Sequence, residues 1–395
     1  MWIQSVGESA VAVALVVSLI PRHAAIAGDV ATDRPVGQIE TVARFDGAMP
    51  TGVTVSRNGR IFVNFPKWGD KVDFTVAEVK QGRAVPYPDA ASNGSGEHSA
   101  ATRLISVQSV VIDPLDRLWI VDTGSIEFGP TSPGGPKLVG IDLATDRTFK
   151  TIRFPDDVAL PTSYLNDVRF DLRRGGAGYA FLTDSSGNGP NGIIVVDLET
   201  GKSWRRLHDH PTTKAEPALL ALVEGQPLME RPPSGKPRPV TMGSDGIAIG
   251  HDGKRLYYCP LVSRRLYSVS VDALVDRSLK DEQVATSIID HGEKGAADGL
   301  ESDDKGRIYA TNYEQNAILR RLPDGSFETL VHDARVLWPD TLSVASDGFL
   351  YFTANQLHRQ ARYHGGDDLR QKPYSLFRTR IDAGPVRLVG DQAAR

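Results

Sequence analysis

Six similar phrases of this sequence open with a polar residue that could contribute to one site. Three of them open with a carboxylic acid, at Asp245, Asp298 and Asp340. The other three open with a hydroxyl or an amide, at Thr51, Gln108 and Asn166. Carboxylates held close together repel one another unless a proton or a cation lies between them. Such a set could act as an acid and base pair, or it could bind a cation.

Both kinds of chemistry are open to these residues. In the first, Asp298 or Asp245 removes a proton next to a carbonyl group, which requires a carboxyl pKa raised toward neutrality. In the second, Asn166, Asp245 and Asp298 hold Ca²⁺ or another divalent cation through hard oxygen ligands. Zinc is not expected, because no His or Cys opens any of the six phrases. A structural alternative is that each Asp-Gly pair is ordinary turn chemistry.

The phrases themselves predict the elements that position these residues. Each continues as a short strand, a turn rich in Asp, Asn and Gly, and a second strand with an aromatic residue, as in DGIAIGHDGKRLYYCP from Asp245. The starts at 51, 108, 166, 245, 298 and 340 lie 42 to 79 residues apart. Repeats of roughly 40–60 residues with this content are typical of propeller blades. We therefore predict an all-β fold, a six-bladed β-propeller of four-stranded antiparallel blades around a central channel, over residues 38–395.

A propeller would bring the phrase-opening residues together. The first strand of each blade lines the channel, and all six run in the same direction, so equivalent positions form a ring at one mouth. Asp167 follows Asn166 and points either into the channel or into its blade. Trp338 precedes the last phrase and either stacks on a ring-shaped ligand or packs between blades. The residues predicted to bind a ligand are Thr51, Gln108, Asn166, Asp167, Trp338 and Asp340.

Two features of the predicted ring stay open at this point. Either residues 38–46 or residues 385–390 could supply the strand that completes the sixth blade and removes a free sheet edge. Long insertions fall at residues 65–99 and 211–240. The second is rich in proline and is predicted to be a surface excursion that covers one face, with a short helical turn near residues 216–223.

Composition limits the partners and the location of the protein. The net charge of −4 comes without a basic cluster, so no nucleic acid is expected. Residues 1–27 combine an apolar run at 10–20 with an A-x-A-like site at Ala25 and Ala27, which predicts an export signal and a secreted protein, extracellular or periplasmic. Glu8 and the absence of Lys or Arg before that run leave a buried helix or a misassigned start open. No later segment is apolar enough to cross a membrane, and we expect a monomer that binds a small molecule.

Several long phrases resemble the major royal jelly protein/yellow family, in what looks like its bacterial branch. They include PTGVTVSRNGRIFVNFPKWGD, SVQSVVIDPLDRLWIVDTG and MGSDGIAIGHDGKRLYYCPL, and the likeness runs over roughly residues 38–388. The resemblance implies a secreted six-bladed propeller whose channel mouth, in some members, binds small, often aromatic amine-type ligands. It also implies dopachrome-tautomerase-like isomerase activity, since some insect members are associated with dopachrome conversion. The disulfides of those members cannot form here, because Cys259 is the single cysteine.

A more distant likeness is to the gluconolactonase/regucalcin propellers, which implies the alternative function of a metal-dependent lactonase. Asn166 in YLND and Asp298 in ADGL match the pattern of that metal site. Two positions depart from it, because Asp245 stands where an asparagine is usual and Thr51 stands where a glutamate would be. In the lactonase, the cation would polarise the ester carbonyl and position a water molecule.

Overall fold

Six four-stranded antiparallel sheets make up the structure, a computed structural model that describes residues 34–93, 100 and 102–390. The chain first forms β1 (Ile39–Phe45), which belongs to the last blade. The strands of blades 1 to 3 are β2 (Val53–Val55), β3 (Ile61–Asn64), β4 (Val76–Lys80), β5 (Arg83–Pro86), β6 (Val107–Ile112), β7 (Leu118–Asp122), β8 (Lys137–Asp142), β9 (Arg147–Arg153), β10 (Leu165–Asp171), β11 (Tyr179–Asp184), β12 (Gly192–Asp197) and β13 (Ser203–Arg206).

Two small hairpins then interrupt the series of blades. They consist of β14 (Leu222–Val223) with β15 (Gln226–Pro227), and of β16 (Met229–Glu230) with β17 (Arg238–Pro239). The strands of blades 4 to 6 are β18 (Ser244–Ile249), β19 (Arg255–Pro260), β20 (Arg265–Ser270), β21 (Ile289–Glu293), β22 (Leu300–Ser302), β23 (Ile308–Asn312), β24 (Ala317–Arg321), β25 (Phe327–His332), β26 (Pro339–Val344), β27 (Phe349–Ala354) and β28 (Tyr374–Arg380).

Helices are few and short. The α-helices are α1 (Ala90–Asn93), α2 (Val271–Val275) and α3 (Asp281–Ala285), and single 3₁₀ turns lie at Pro211–Thr213, Leu357–Arg359 and Ala361–Tyr363. Within the described ranges, no helix is long and apolar enough to cross a bilayer. The predicted export signal of residues 1–27 lies outside the described residues.

The inner strands β2, β6, β10, β18, β22 and β26 form a closed ring, because each contacts the inner strands of both neighbouring blades. This arrangement confirms the predicted six-bladed β-propeller. It also explains the continuous apolar runs of the second strands, which are covered by a neighbouring blade on each face. Cys259 is one of these covered residues and is a free, buried thiol.

The N-terminal candidate closes the ring. β1 pairs antiparallel with β28, from Ile39 opposite Thr379 to Phe45 opposite Tyr374. The C-terminal candidate instead crosses the far end of the channel, where Pro385 bridges to Asp303 on blade 5 and Val389 bridges to Leu172 on blade 3. The two segments look alike in sequence, but only the N-terminal one lies along the free edge of β28, where it becomes the fourth strand of blade 6.

Carboxylates in the turns between the first and second strands hold the blades' aromatic residues. Asp113 accepts hydrogen bonds from Arg117 Nε at 2.7 Å and from Trp119 Nε1 at 2.8 Å. The Tyr309 hydroxyl donates to Asp303 Oδ2 at 2.6 Å in the same way. The repeated pairing of a turn Asp with a second-strand aromatic therefore fixes the ends of the blades remote from the ring residues.

The insertion before blade 4 covers part of the face at which the inner strands begin. The helical turn predicted near residues 216–223 is wrong, because Leu222–Val223 forms β14 instead. At the tip of this hairpin, Glu224 lies 2.7 Å from His358 Nε2, and Glu230 pairs with Arg362. Both partners belong to the loop between β27 and β28, so the hairpins reach from blade 4 to blade 6.

Candidate functional site

Irregular strand starts aim the phrase-opening side chains at the channel. Shifts in strand register fall between Val107 and Ser109, between Leu165 and Val168, between Ser244 and Ile247, and between Pro339 and Leu342. These intervals contain Gln108, Asn166, Asp245 and Asp340. A β-bulge re-aims a side chain and bends its strand. All six ring residues are at most 7% exposed, so the mouth is narrow.

The glycine after two of the ring acids is required by the neighbouring blade. A Cβ atom at Gly246 would stand 2.7 Å from the carbonyl oxygen of Asp298, and one at Gly299 would stand 2.2 Å from that of Asp340. Neither distance can be tolerated without moving the backbone. The recurrent Asp-Gly pair is therefore needed for close approach of adjacent inner strands, in addition to any turn chemistry.

Threonine hydroxyl groups donate hydrogen bonds to the backbone carbonyls of the ring residues in neighbouring blades. Thr183 Oγ1 donates to the Asp245 carbonyl at 2.7 Å, and Thr353 Oγ1 donates to the Thr51 carbonyl at 2.6 Å. Thr51 Oγ1 itself donates to the Gln108 carbonyl at 3.2 Å. Thr51 is completely buried, so the structure places its hydroxyl in a contact between blades.

Asp245 and Asp298 form the chemical centre of the ring. They lie at the starts of the adjacent inner strands β18 and β22, where each carboxyl group is close enough to affect the pKa of the other. Burial, followed by the charges of Asp298 and Asp340, raises the pKa of Asp245 well above its ordinary value. Burial also raises the pKa of Asp298, to about 6, against the lowering effect of its hydrogen bonds. The interaction between the two acids raises the pKa of Asp245 and lowers that of Asp298, so Asp245 keeps its proton to the higher pH.

Trp338 positions Asp298 from behind. Its indole Nε1 donates to Asp298 Oδ2 at 2.7 Å. The ring is stacked on Tyr313 at 4.2 Å between centroids and faces His358 on its other side at 5.8 Å. Trp338 is completely buried and has a φ of 56°, a left-handed conformation that costs free energy in a non-glycine residue. The surrounding packing thus holds a strained residue in place to orient one carboxylate.

The other predicted site residues have distinct surroundings. Asp340 Oδ2 accepts from Asn355 Nδ2 at 2.7 Å, and burial followed by the Asp298 charge raises the pKa of Asp340 well above its ordinary value. The Asn166 amide forms no hydrogen bond with the residues that the structure describes, so it is available to a ligand. Gln108 Oε1 accepts from the Tyr164 hydroxyl at 3.1 Å.

Asp167 points along the channel, below the ring. Its Oδ1 accepts from Ser109 Oγ at 2.6 Å, and its Oδ2 accepts from Arg169 Nη1 at 2.8 Å. Arg169 also donates to the Leu300 carbonyl and lies 3.3 Å from Glu301 on blade 5. Burial raises the pKa of Glu301 to about 7, although Arg169 opposes the shift. A buried ionic chain therefore spans the channel from blade 3 to blade 5.

An aromatic cluster that sequence reasoning missed borders the mouth. Trp68 stacks on Phe128 at 4.8 Å, and Phe128 packs on Tyr164 at 4.7 Å. Trp68 Nε1 donates to the Tyr164 hydroxyl at 2.7 Å. The three residues come from loops of three different blades, so no periodicity marks them. The available signal was the family resemblance, since KWGD and SYLND lie in or beside the phrases that carry it.

The cation predicted from the sequence stays a prediction. In the described part of the chain, no three His, Cys, Asp or Glu side chains are grouped as metal ligands. Asn166, Asp245 and Asp298 offer suitable oxygen atoms, but the indole of Trp338 donates to one of them, and burial favours a proton on the carboxyl groups. These residues fit a cation only after that proton has left.

We expect Trp338→Phe to raise the pKa of Asp298 above about 6, because the indole hydrogen bond to the carboxylate lowers that pKa. The measurement is a pH titration of the ¹³C carboxyl resonance of Asp298. Trp204→Phe is the matched control, since its indole donates to a backbone carbonyl of Leu274 and touches no ring residue. A fall in the Asp298 pKa, or equal shifts in both variants, would contradict the role given to Trp338.

The fold and the site together define a six-bladed β-propeller with buried acidic residues at its channel mouth. The family model for major royal jelly protein matches residues 105–381, which is 277 of the 395 residues. The chain belongs to the major royal jelly protein family.

Curated relatives of the chain include the protein yellow of several fruit flies. Protein yellow of Drosophila melanogaster is 28% identical over 255 residues, which is 60% of this chain and 43% of the relative. Protein yellow of Drosophila subobscura is also 28% identical over 255 residues, and the match covers 41% of that relative. The matched part of the chain thus spans less than half the length of these relatives.

Solved structures of similar shape are other propellers. A gluconolactonase from Xanthomonas campestris matches with a TM-score of 0.51 and 12% identity, over 88% of this chain and 91% of that one. The calcium-binding protein regucalcin from Agrobacterium tumefaciens matches with a TM-score of 0.50 and 15% identity, over 87% and 95% of the two chains. At these identities the likeness shows the fold alone.

Proposed function

We propose that the protein binds a small aromatic ligand at the channel mouth and isomerises it by proton transfer, in the manner of a dopachrome tautomerase. The observation that carries the proposal is the pair of buried acids Asp245 and Asp298 at the starts of adjacent inner strands, where the pKa of Asp298 is raised to about 6 and that of Asp245 is raised well above its ordinary value. A pair of acids with separated pKa values is the usual equipment for removing one proton and delivering another.

Each carboxyl group has a distinct role in the proposed step. Ionised Asp298 takes a proton from a carbon next to a carbonyl group, and protonated Asp245 gives its proton to the carbonyl oxygen. The C–H electron pair becomes the new carbon–carbon double bond, so the product is an isomer and no oxidant is needed. Transfer of a proton from Asp298 back to Asp245 restores the starting state. Asn166 is available to bind a polar group of the ligand.

We expect Asp298→Asn to lower kcat with dopachrome by at least about 100-fold, because general-base catalysis commonly contributes a factor of 10² to 10⁴. In the unchanged protein, kcat should rise with pH through about 6 as Asp298 ionises, and fall at higher pH as Asp245 loses its proton. Asp245→Asn should also lower kcat, since the amide cannot donate the proton, and the turnover that remains should lack the fall at high pH. Asp324→Asn is the control, because Asp324 caps an exposed turn of blade 5. Turnover that survives Asp298→Asn would end the proposal.

The metal-dependent lactonase is the alternative function, favoured by the proximity of Asp245, Asp298 and Asp340 and by the unpaired Asn166 amide. Ca²⁺ would have to displace a proton from these carboxyl groups, so its binding should strengthen as the pH rises. Elemental analysis and hydrolysis of sugar lactones with and without added Ca²⁺ distinguish the two functions. Lactone hydrolysis that requires the cation and disappears in Asp298→Asn would favour the alternative.

We also propose that the chain is secreted after removal of residues 1–27. The support is the apolar run followed by Ala25 and Ala27, together with membership of a family for which the resemblance implies secretion. N-terminal sequencing of the protein released by an expressing cell tests this, and a mature chain that still begins at Met1 would contradict it.

A further inference from the structure

A cavity of about 490 Å³ lies beside the channel mouth and has no role in the proton transfer described above. Its walls include Phe128, Tyr164, Glu230, Met242 and Arg362. The wall residues come from the loops that precede or follow strands of blades 2, 3 and 6 and from the insertion before blade 4. The volume is within the usual range for small-molecule sites, and aromatic side chains with a few polar groups are the usual lining.

Tyr164 connects this cavity to the ring. Its side chain lines the cavity, and its hydroxyl donates to Gln108 Oε1 at 3.1 Å. The charges of Asp245 and Asp340 are close enough to add to the effect of burial in raising the pKa of Tyr164. A ligand that packs on Tyr164 in the cavity is therefore next to the residues of the mouth.

Arg362 has hydrogen-bonding capacity to spare in this cavity. Its guanidinium lies 4.7 Å from the centre of the Phe128 ring, and one Nη2 contact joins it to Glu230. Its Nε and Nη1 have no hydrogen-bond partner among the residues that the structure describes, and 31% of its side chain is exposed. By contrast, the Nε, Nη1 and Nη2 groups of Arg359 in the same loop all donate to Glu224 or Gln356.

The charges next to Arg362 favour an anion there, although the exposed Glu127 also lines the cavity and brings its four charged wall residues to zero net charge. Glu230 is paired with two cations, Arg362 and Arg238, so this group of three side chains carries one net positive charge. Guanidinium groups bind carboxylates through charge-assisted and often bidentate hydrogen bonds. The parts of Phe128 and Tyr164 that line the cavity beside Arg362 offer an apolar surface for an aromatic ring.

We propose that this cavity binds the carboxylate of an aromatic carboxylic acid, with Arg362 as its anchor and with the ligand's ring against Phe128 and Tyr164. The assignment rests on the proposed function in one respect, since it names the class of molecule that the mouth isomerises. It concerns binding rather than proton transfer, so the two can fail separately.

The test uses indole-2-carboxylate and its neutral analogue, indole-2-carboxamide, with affinities measured by isothermal titration calorimetry. We expect the unchanged protein to bind the carboxylate at least about tenfold more tightly than the amide. Arg362→Gln should lower the affinity for the carboxylate by at least about tenfold and leave the affinity for the amide unchanged. Glu230→Gln breaks the same ion pair but frees the guanidinium, so it should bind the carboxylate as tightly as the unchanged protein or more tightly.

Two results would overturn the assignment. One is equal affinity for the two probes in the unchanged protein. The other is that Arg362→Gln and Glu230→Gln lower the affinities for both probes by the same factor. The second result would mean that the ion pair only holds the loop in place. If Arg362→Gln does not fold, the probe comparison in the unchanged protein and in Glu230→Gln decides alone. Asp298→Asn should lose turnover and retain carboxylate binding. An unchanged protein that prefers the carboxylate but does not turn over dopachrome contradicts only the isomerase.

Discussion

Loss of β1 is expected to abolish cooperative folding of the propeller. A chain without residues 1–46 lacks the outer strand of blade 6, and β28 then becomes an unpaired edge that invites aggregation. The deletion also removes Ala43 and Phe45 from the largest hydrophobic cluster. The first and last parts of the described chain would no longer share a sheet.

The measurement is thermal unfolding by circular dichroism, combined with size-exclusion chromatography. A chain that lacks only residues 1–33 is the control and should unfold in a single transition. Phe45→Ala provides an intermediate case, with an expected loss of about 3–5 kcal/mol from the free energy of unfolding. A chain without residues 1–46 that stays monomeric and melts at the control's temperature would show that the ring does not depend on β1.

Asp122→Ala is expected to lower the free energy of unfolding by about 3–5 kcal/mol, because it leaves a buried ammonium group without its counter-ion. Asp122 is completely buried, Lys137 is 1% exposed, and the Nζ–Oδ2 distance is 2.7 Å. Asp122 also accepts hydrogen bonds from the backbone N–H groups of Ile105, Ser106 and Gly124. The substitution thus leaves four donors without this acceptor.

Urea unfolding measures this effect. Asp142→Ala is the matched control in the same blade, because Asp142 caps an exposed turn, and it should cost less than about 1 kcal/mol. The double variant Asp122→Ala with Lys137→Met should recover part of the loss, since it removes the unpaired charge. A loss below about 1 kcal/mol for Asp122→Ala would mean that water reaches Lys137 freely.

The fold and the acidic pair could be predicted from the sequence because both follow from repetition. Asp245 and Asp298 occupy equivalent positions in successive phrases, and equivalent positions of neighbouring blades are adjacent in any closed ring. Their proximity required no knowledge of side-chain packing. The raised pKa values follow in turn, because two buried carboxyl groups close to each other cannot both be ionised without a large cost.

The surroundings of the pair could not be predicted in the same way. Trp338 was known only as the second residue before Asp340, and its left-handed backbone, which turns the indole to Asp298, depends on packing against Tyr313 and His358. Trp68, Phe128 and Arg362 lie on loops of unequal length that share no period. Their contacts join residues from different blades, and such distances are set by the whole ring rather than by any local pattern.

The ionic chain of Asp167, Arg169 and Glu301 makes the channel a dead end. Arg169 reaches across the axis, and the small cavity of about 70 Å³ on its far side is bordered by Pro385 and Val386 of the C-terminal segment. For the proposed isomerase, substrate and product would then share one opening, on the side where the hairpins of the insertion reach blade 6. Slow opening of the contacts of Glu224 with His358 and Arg359 would in that case limit turnover once the chemical step is fast.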